Sequence, residues 1–342
     1  MIGISLGNNP LKNIIYLINM SVLERELKNN INKIRFYHAN QNQDYLFKSK
    51  ALELFKYSCS AILDNLVDSL KTITPDFIIE LAEVGFPVSE ELTNKLLNLY
   101  FELETTKNSF YVRALLLKSQ TEALGANGKK AEEAITILKS SMGYILKAIE
   151  LIAKPENKQK YAGLVYNASI ITYNIARSYY KVNWAKNFWE VMEKISNLLE
   201  ESDDVDINWR MRFLLKVAQC YIDADKKAES AKALDKITDI IKKKGESDFH
   251  EELYRYRIHL SRDNNGALGN LKKEGESLHE SRGFKYIYTL QCIKSGIISD
   301  NQLEKEIQTF LNLILPDYTK ILNNPNMTVK IEIKKGDLLA EA

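Results

Sequence analysis

The sequence predicts an all-α protein built from antiparallel helix pairs that stack into an elongated superhelical array. Apolar residues recur at helical spacing along most of the chain, and its 342 residues include only 14 Gly and 6 Pro, too few for a fold rich in tight turns. The helix expected after Asp206 also has two apolar faces. Such a helix needs a partner on each side, and stacked helix pairs supply both because each pair covers its neighbours.

The array is expected to span residues 1–325. Before the first well-defined pair, helices are predicted at about 10–37, 45–73, 74–85 and 89–103, where Thr74 is an N-cap with Pro75 in the first turn and Ser89 caps the next helix. The best helix pairs are then expected at 110–153, 157–201 and 206–244.

Small and apolar residues at helical spacing identify the surfaces on which these pairs should pack. In the pair 206–244, Val217, Ala218 and Tyr221 have the spacing of a tetratricopeptide first helix, and Ser230 lies near a small-residue position of the second. The match is degenerate, so we describe the repeat as tetratricopeptide-like. The predicted repeat-packing residues are Leu164, Ala168, Ile175, Tyr179, Trp184, Phe188, Trp209, Leu214, Ala218 and Tyr221.

The end of the chain has a different pattern. After helices expected up to about residue 322, the alternating run 326–335 predicts a short strand or an extended linker. Residues 336–342 resemble the opening of a helix that is cut off. The sequence therefore indicates an amino-terminal piece of a longer protein.

Charge and cysteine usage limit the class of protein. The 47 basic and 45 acidic residues give a formal charge of +2, so the balance does not call for a polyanionic partner. Cys59, Cys220 and Cys292 each lie in a helical apolar pattern, which is typical of buried, reduced thiols in a cytoplasmic protein. No segment has about 18 uninterrupted apolar residues, so no membrane partner is expected.

The sequence contains only incomplete versions of catalytic and metal-binding motifs. His250-Glu251 and His279-Glu280 begin like a zinc-protease motif, but Tyr254 and Gly283 occupy the second His position. Glu276 and His279 have the spacing of one di-iron ligand pair, and the sequence has no second pair. We therefore expect no enzyme activity, no metal and no cofactor.

Two basic segments are candidates for partner binding. Tyr254, Arg255 and Arg257 combine aromatic and basic side chains, although a packing stripe of Leu253, Tyr256 and Leu260 does not favour a nucleic-acid surface. The run of Lys242, Lys243 and Lys244 ends a helix, where cations suit the helix dipole, and it is a candidate to meet an acidic tail such as that of tubulin.

Several segments resemble the amino-terminal repeat region of the cilia- and flagella-associated protein 46 family. They are Tyr144–Glu150, the Val165-Tyr166-Asn167-Ala168-Ser169 run, Trp209–Tyr221 and, in order and spacing, Phe110–Ala114 and Asp223–Ala231. The resemblance covers roughly residues 110–244. This chain departs from the family at 180–183, where members tend to have Pro and Gly.

The resemblance implies a structural scaffold of the cytoskeleton, placed in a projection of the central apparatus of the ciliary axoneme and needed for motility of the cilium or flagellum. It also implies other central-apparatus proteins as partners, with tubulin or the microtubule surface a further candidate. The alternative from the residues alone is a generic cytosolic tetratricopeptide-like module that binds peptides or RNA.

Overall fold

A computed structural model describes residues 10–42, 45–64, 73–103, 106–177, 184–201, 206–244, 249–261 and 264–276, with the single residues Tyr288, Cys292 and Lys305. Every regular element in these ranges is helical, which confirms the predicted all-α class. The chain divides into two compact units, Met1–Arg177 and Ser178–Ala342. None of the described helices is long and apolar enough to cross a membrane.

Unit 1 contains eight described helices that pack mainly as neighbouring pairs. They are α1 (Pro10–Ala39), α2 (Tyr45–Leu63), α3 (Pro75–Gly85), α4 (Glu90–Glu102), α5 (Ser109–Leu124), α6 (Ala131–Ile152), the single turn α7 (Pro155–Lys158) and α8 (Ala162–Ala176). The pairs α1–α2, α3–α4 and α5–α6 make extensive contacts, and α3 also contacts α1 and α5. The helix α3 therefore has neighbours on more than one side.

In the core of unit 1, a side chain of α2 lies directly against the end of α3. Gly85 is the last residue of α3, and the ring of Phe55 on α2 occupies the space that a side chain at Gly85 would need. Phe55 is fully buried and belongs to a cluster with Ile78, Leu81 and Tyr100. The absence of a Cβ at Gly85 thus allows the Phe55 ring to pack against the backbone at the end of α3.

Unit 2 contains a 3₁₀ turn followed by five described helices. These are the turn Ala185–Asn187 and helices α9 (Trp189–Glu200), α10 (Ile207–Asp223), α11 (Lys227–Lys244), α12 (His250–Ser261) and α13 (Asn265–Glu276). The strongest pairing is α10–α11, and α10 also contacts α9 and α12. The two predicted apolar faces of α10 are both buried, with Leu214 and Ala218 on one side and Phe213 and Val217 on the other.

The α10–α11 hairpin turns within three residues. Asp225 adopts φ 56°, the N–H of Lys226 donates to the carbonyl of Tyr221 at 2.8 Å, and the N–H of Asp225 donates to that of Ile222 at 3.0 Å. These two bonds form a Schellman motif, in which Gly is the preferred residue at the left-handed position. An Asp occupies it here, since its short polar side chain tolerates this backbone region better than most.

Small residues set the contact between α10 and α11. Ala218 and Ser230 are both fully buried, and the Ser230 hydroxyl donates to the Ala218 carbonyl at 3.1 Å. The bond satisfies a buried hydroxyl without a bulky side chain between the helices. This hairpin begins and ends within one residue of the two helices that the sequence predicts.

Other segments differ from prediction. The helix expected over 45–73 is α2, which ends at Leu63, with residues 65–72 outside the described ranges. The helix pair predicted at 157–201 is preceded by the single turn Pro155–Lys158, and its first long helix, α8, begins only at Ala162. Trp184, a predicted packing residue of this pair, lies just before the 3₁₀ turn and outside α9, which begins at Trp189.

The predicted pair 157–201 is divided between the two units, because the boundary follows Arg177. Within unit 1, α8 packs on α5 and α6. Tyr179, the predicted strand or linker at 326–335 and the helix start at 336–342 lie outside the described residues. The superhelical arrangement of repeats remains a prediction.

Candidate functional site

Unit 1 has a cleft bounded by α3, α5 and α8, with a volume of about 180 Å³. Its lining is mostly aliphatic, with a charged pair from α3 and α5 and one amide side chain from each of α5 and α8. The lining residues are Glu83, Arg113, Leu116, Leu117, Gln120, Leu164, Asn167, Ile170 and Ile171.

The apolar wall that α8 gives the cleft consists of Leu164, Ile170 and Ile171. Leu164, Ile171 and Ile175 are only partly buried, whereas Val165 and Ala168 point into the packed interface. Of the predicted packing residues on this helix, Ala168 is fully buried, and Leu164 and Ile175 are partly buried. The interface uses smaller side chains because α8 lies against both α5 and α6.

One end of the cleft is fixed by an ion pair between α3 and α5. The Arg113 guanidinium donates from Nε to Glu83 Oε1 at 2.8 Å and from Nη2 to Glu83 Oε2, while its central carbon lies 4.5 Å from the Phe110 ring centroid. The bidentate hydrogen bond with Glu83 raises the pKa of Arg113. The ion pair holds α3 and α5 in position. Because each charge neutralises the other, neither side chain is available as a free acid or base.

The amides of Gln120 and Asn167 give the cleft its polar recognition groups. Gln120 is partly buried on α5 and Asn167 is exposed on α8. An amide side chain offers both a donor and an acceptor, which is the pair of functions that a peptide backbone requires. Together with the aliphatic wall, they suit an apolar side chain carried on a peptide segment.

The α5 helix, which carries apolar and polar groups of the cleft, is firmly anchored at its start. Asn108 is its N-cap and accepts hydrogen bonds from the N–H groups of Phe110 and Tyr111 at 2.9 and 3.1 Å. The Asn108 amide also donates to Asp76 at the start of α3. By contrast, Thr74 and Ser89 occupy their predicted N-cap positions but make no side-chain capping bond.

The remaining repeat-packing residues lie in unit 2, and most are buried. Phe188, Leu214 and Ala218 are 0–2% exposed. Tyr221 is 5% exposed and donates from its hydroxyl to Glu193 on α9 at 2.5 Å. Trp184 and Trp209 are partly buried, so these two side chains contribute to packing at the edge of the core.

The structure does not support Tyr254 as an exposed partner-binding residue. Tyr254 is 4% exposed and packs with Ile258, Leu268 and Leu271, and burial raises its pKa to about 12. The sequence identified only one packing face of α12, whereas α12 contacts both α11 and α13 and buries a second face. A buried ring cannot offer its face to a base or a partner.

The basic residues around Tyr254 differ in their surroundings. Arg257 lies 3.6 Å from Asp235 on α11 and 3.3 Å from Glu274 on α13, so it links three helices. Arg255 is partly buried. Lys242 and Lys243 are exposed at the end of α11, and the side chain of Lys244 is outside the described set. Among the described residues of the two predicted basic segments, Lys242 and Lys243 are therefore the exposed ones.

Cys59 and Cys220 are buried free thiols in the helical cores, as is Cys292. Burial raises the pKa of Cys59 to about 12, which makes its reactive thiolate scarce at neutral pH. Within the described ranges, no group of three or more His, Cys, Asp or Glu side chains could hold a metal ion.

No sequence signal pointed to the cleft, because its residues come from three helices separated by tens of positions.

A comparison with protein-family models finds none that matches the chain.

Proposed function

We propose that this chain is a non-catalytic scaffold of the ciliary central apparatus, in which tetratricopeptide-like helix pairs form a superhelical array that binds neighbouring proteins. The observation that carries the proposal is the position of the Val165–Ser169 run. This run gives the sequence its resemblance to the ciliary family, and it forms the stretch of α8 that packs on the adjacent hairpin and contributes Asn167 to the cleft.

Packing within each unit supports a repeat scaffold. In unit 1, α3 contacts both its own partner α4 and the helices α1 and α5. In unit 2, α10 uses two apolar faces and meets α11 through Ala218 and Ser230. These are the contacts that a stacked helix-pair protein needs, because each pair completes the core of the next.

The occupant proposed for the cleft is a segment of another central-apparatus protein with an apolar side chain. The aliphatic wall of Leu164, Ile170 and Ile171 would contact that side chain, and the amides of Gln120 and Asn167 would pair with the backbone on either side of it. The cleft volume of about 180 Å³ is large enough for one apolar side chain of the partner. In this assignment the protein resides in the cytoskeleton of the axoneme, and tubulin is a further candidate partner.

The proposal is tested by comparing two acidic substitutions on α8. Ile170→Asp places a carboxylate in the cleft, whereas Asn174→Asp places one on an exposed position one turn further along the same helix. The tagged wild-type chain is used to recover partner proteins from solubilised axonemes. We expect the Ile170→Asp variant to recover fewer of them, because binding would bury an unpaired charge. Asn174→Asp should retain them.

The two variants must first show the same helix content and thermal unfolding midpoint as the wild type. Equal recovery of axonemal proteins by both folded variants would contradict the role of the cleft. A wild-type chain that is absent from axonemes and binds RNA instead would contradict the scaffold assignment and favour the cytosolic alternative.

A further inference from the structure

The tip of the α1–α2 hairpin carries a cluster of apolar side chains that is open to solvent. We call Phe36, Tyr37, Leu46 and Phe47 the aromatic tip. Phe36 and Leu46 are each 56% exposed, the highest values for large apolar side chains in the part of the chain that the structure describes. Single exposed apolar residues are ordinary, so it is their grouping at one hairpin tip that makes this surface a candidate interaction site.

The three rings of the aromatic tip hold one another in place. The Tyr37 and Phe47 ring centroids are 5.2 Å apart with an interplanar angle of 34°. Phe36 meets Tyr37 and Phe47 edge to face at 5.7 and 5.9 Å. This mutual packing gives a preorganised apolar surface, so little rotamer entropy remains to be lost when a partner binds.

Among the described residues of α1 and α2, the exposed charged side chains close to the aromatic tip are basic. Lys50 Nζ lies 5.8 Å from the ring centroids of both Tyr37 and Phe47. Lys33 is exposed on α1 three residues before Phe36, a spacing that places the two side chains on the same face of the helix. Arg35 and Lys48 are also exposed. The nearest exposed carboxylate along α2 is that of Glu53, about one turn beyond Lys50.

The geometry distinguishes between classes of anionic partner. Binding of a single strand needs several open ring faces on which successive bases stack, but of the three rings only Phe36 is largely exposed, since Tyr37 and Phe47 are partly buried and tilted against each other. Stable attachment to a membrane needs a larger apolar insertion than Phe36 and Leu46 offer. A protein segment needs only one apolar side chain against the rings and carboxylates beside the two lysines.

We propose that the aromatic tip, together with Lys33 and Lys50, binds an acidic protein segment that carries an apolar side chain between carboxylates. The apolar side chain contacts Phe36 and Leu46, and the carboxylates pair with the lysines on α1 and α2. This surface is separate from the cleft residues and does not depend on the proposed function.

The test measures binding of a fluorescein-labelled, glutamate-rich peptide with one central phenylalanine to the full chain by fluorescence anisotropy. We expect Phe36→Ser combined with Leu46→Ser to weaken binding about tenfold or more, because the apolar contact is lost. Lys33→Glu combined with Lys50→Glu should weaken binding at least as much and should reduce its dependence on ionic strength.

Two matched variants control for general effects on the surface. Val22→Ser removes a 52% exposed apolar side chain elsewhere on α1, and Lys139→Glu reverses an exposed charge on α6. Both should bind the peptide like the wild type. The same peptide with serine in place of phenylalanine should bind about tenfold more weakly to the wild type but equally to the Phe36→Ser, Leu46→Ser variant.

Parallel measurements with phosphatidylserine vesicles and single-stranded RNA identify the partner class. Tighter binding of either probe than of the peptide, lost in the tip variants, would overturn the proposal in favour of a membrane or RNA surface. The proposal is also overturned if the peptide does not bind the wild-type chain, or if the control variants weaken binding as much as the tip variants.

Discussion

Replacement of Gly85 by Ala tests the contact between the Phe55 ring and the end of α3 in unit 1. A Cβ at this position would lie 1.8 Å from Cζ, 2.1 Å from Cε2 and 2.4 Å from Cε1 of Phe55. Carbon atoms in favourable contact are about 3.5–4.0 Å apart, so the ring would have to move by about 2 Å. Phe55 is fully buried, so its ring cannot turn out into solvent to make room.

The two effects of this substitution can be weighed against each other. Overpacking a core costs about 1–3 kcal/mol. Ala is preferred to Gly inside a helix by about 0.5–1 kcal/mol, and less at Gly85 because it is the last helical residue. The steric effect therefore dominates, and we expect Gly85→Ala to lower the free energy of unfolding by about 1–2 kcal/mol.

The assay is urea unfolding followed by far-ultraviolet circular dichroism. The 3 Trp residues are at positions 184, 189 and 209, outside unit 1, so tryptophan fluorescence is the less direct probe. Gly143→Ala is the matched control, because it lies within α6 and a Cβ there meets no atom within 4 Å. That change should stabilise the chain by about 0.5–1 kcal/mol.

A double-mutant cycle assigns the effect to the ring. Phe55→Leu removes the ring atoms that a new Cβ at position 85 would meet, so the combined variant should be more stable than the sum of the two single changes predicts, by about 1 kcal/mol or more. Equal stabilisation by Gly85→Ala and Gly143→Ala, or additive effects of the two changes in the cycle, would contradict a steric conflict between a Cβ at position 85 and the Phe55 ring.

Three further outcomes follow from individual residues. Asp225→Gly should raise the free energy of unfolding by about 0.5–1 kcal/mol, measured by urea denaturation, because Gly adopts the left-handed region at φ 56° without strain and Asp does not. Cys59 should resist alkylation at pH 8 in the folded chain and react after denaturation, as followed by mass spectrometry, because burial raises its pKa to about 12; reaction in the native chain would contradict its burial. Burial also raises the pKa of Asp223, whose Oδ2 has no hydrogen-bond partner among the described residues, so its ionisation opposes folding above its ordinary pKa. Asp223→Asn should therefore stabilise the chain at pH 7, with a gain that disappears as the pH falls below the ordinary Asp pKa, and a gain independent of pH would refute this account.

The α10–α11 hairpin was predictable because its signals are local. Asp206 precedes the helix and its carboxylate accepts from the N–H of Asn208 at 2.9 Å. The apolar spacing then continues to Tyr221, and the chain reverses at Asp225. Local side-chain chemistry and periodicity determine such boundaries, so they can be inferred without knowledge of the partner helices.

The orientation of α8 was not predictable from periodicity. Leu164, Val165, Ile170, Ile171 and Ile175 are distributed around the helix, so several stripes are equally apolar. Which stripe is buried depends on α5 and α6, against which the smaller residues pack. For the same reason the cleft has no signature in the sequence, since its ion pair joins residues 30 positions apart.

The burial of Tyr254 in unit 2 was also not predictable from periodicity. Leu253 and Tyr256 predicted one buried face of α12, and both pack in the core formed with α10 and α11. Tyr254 and Ile258 form a second buried face with residues of α13. A helix that contacts neighbours on two sides hides residues that a single-stripe interpretation leaves exposed.

Cryo-electron tomography of intact axonemes from cells that express the chain with an electron-dense tag tests the scaffold assignment most directly. The proposed function predicts tag density in a projection of the central apparatus, at a regular position along one central microtubule. Density confined to other axonemal structures, or tagged protein that is absent from the axoneme, would contradict it.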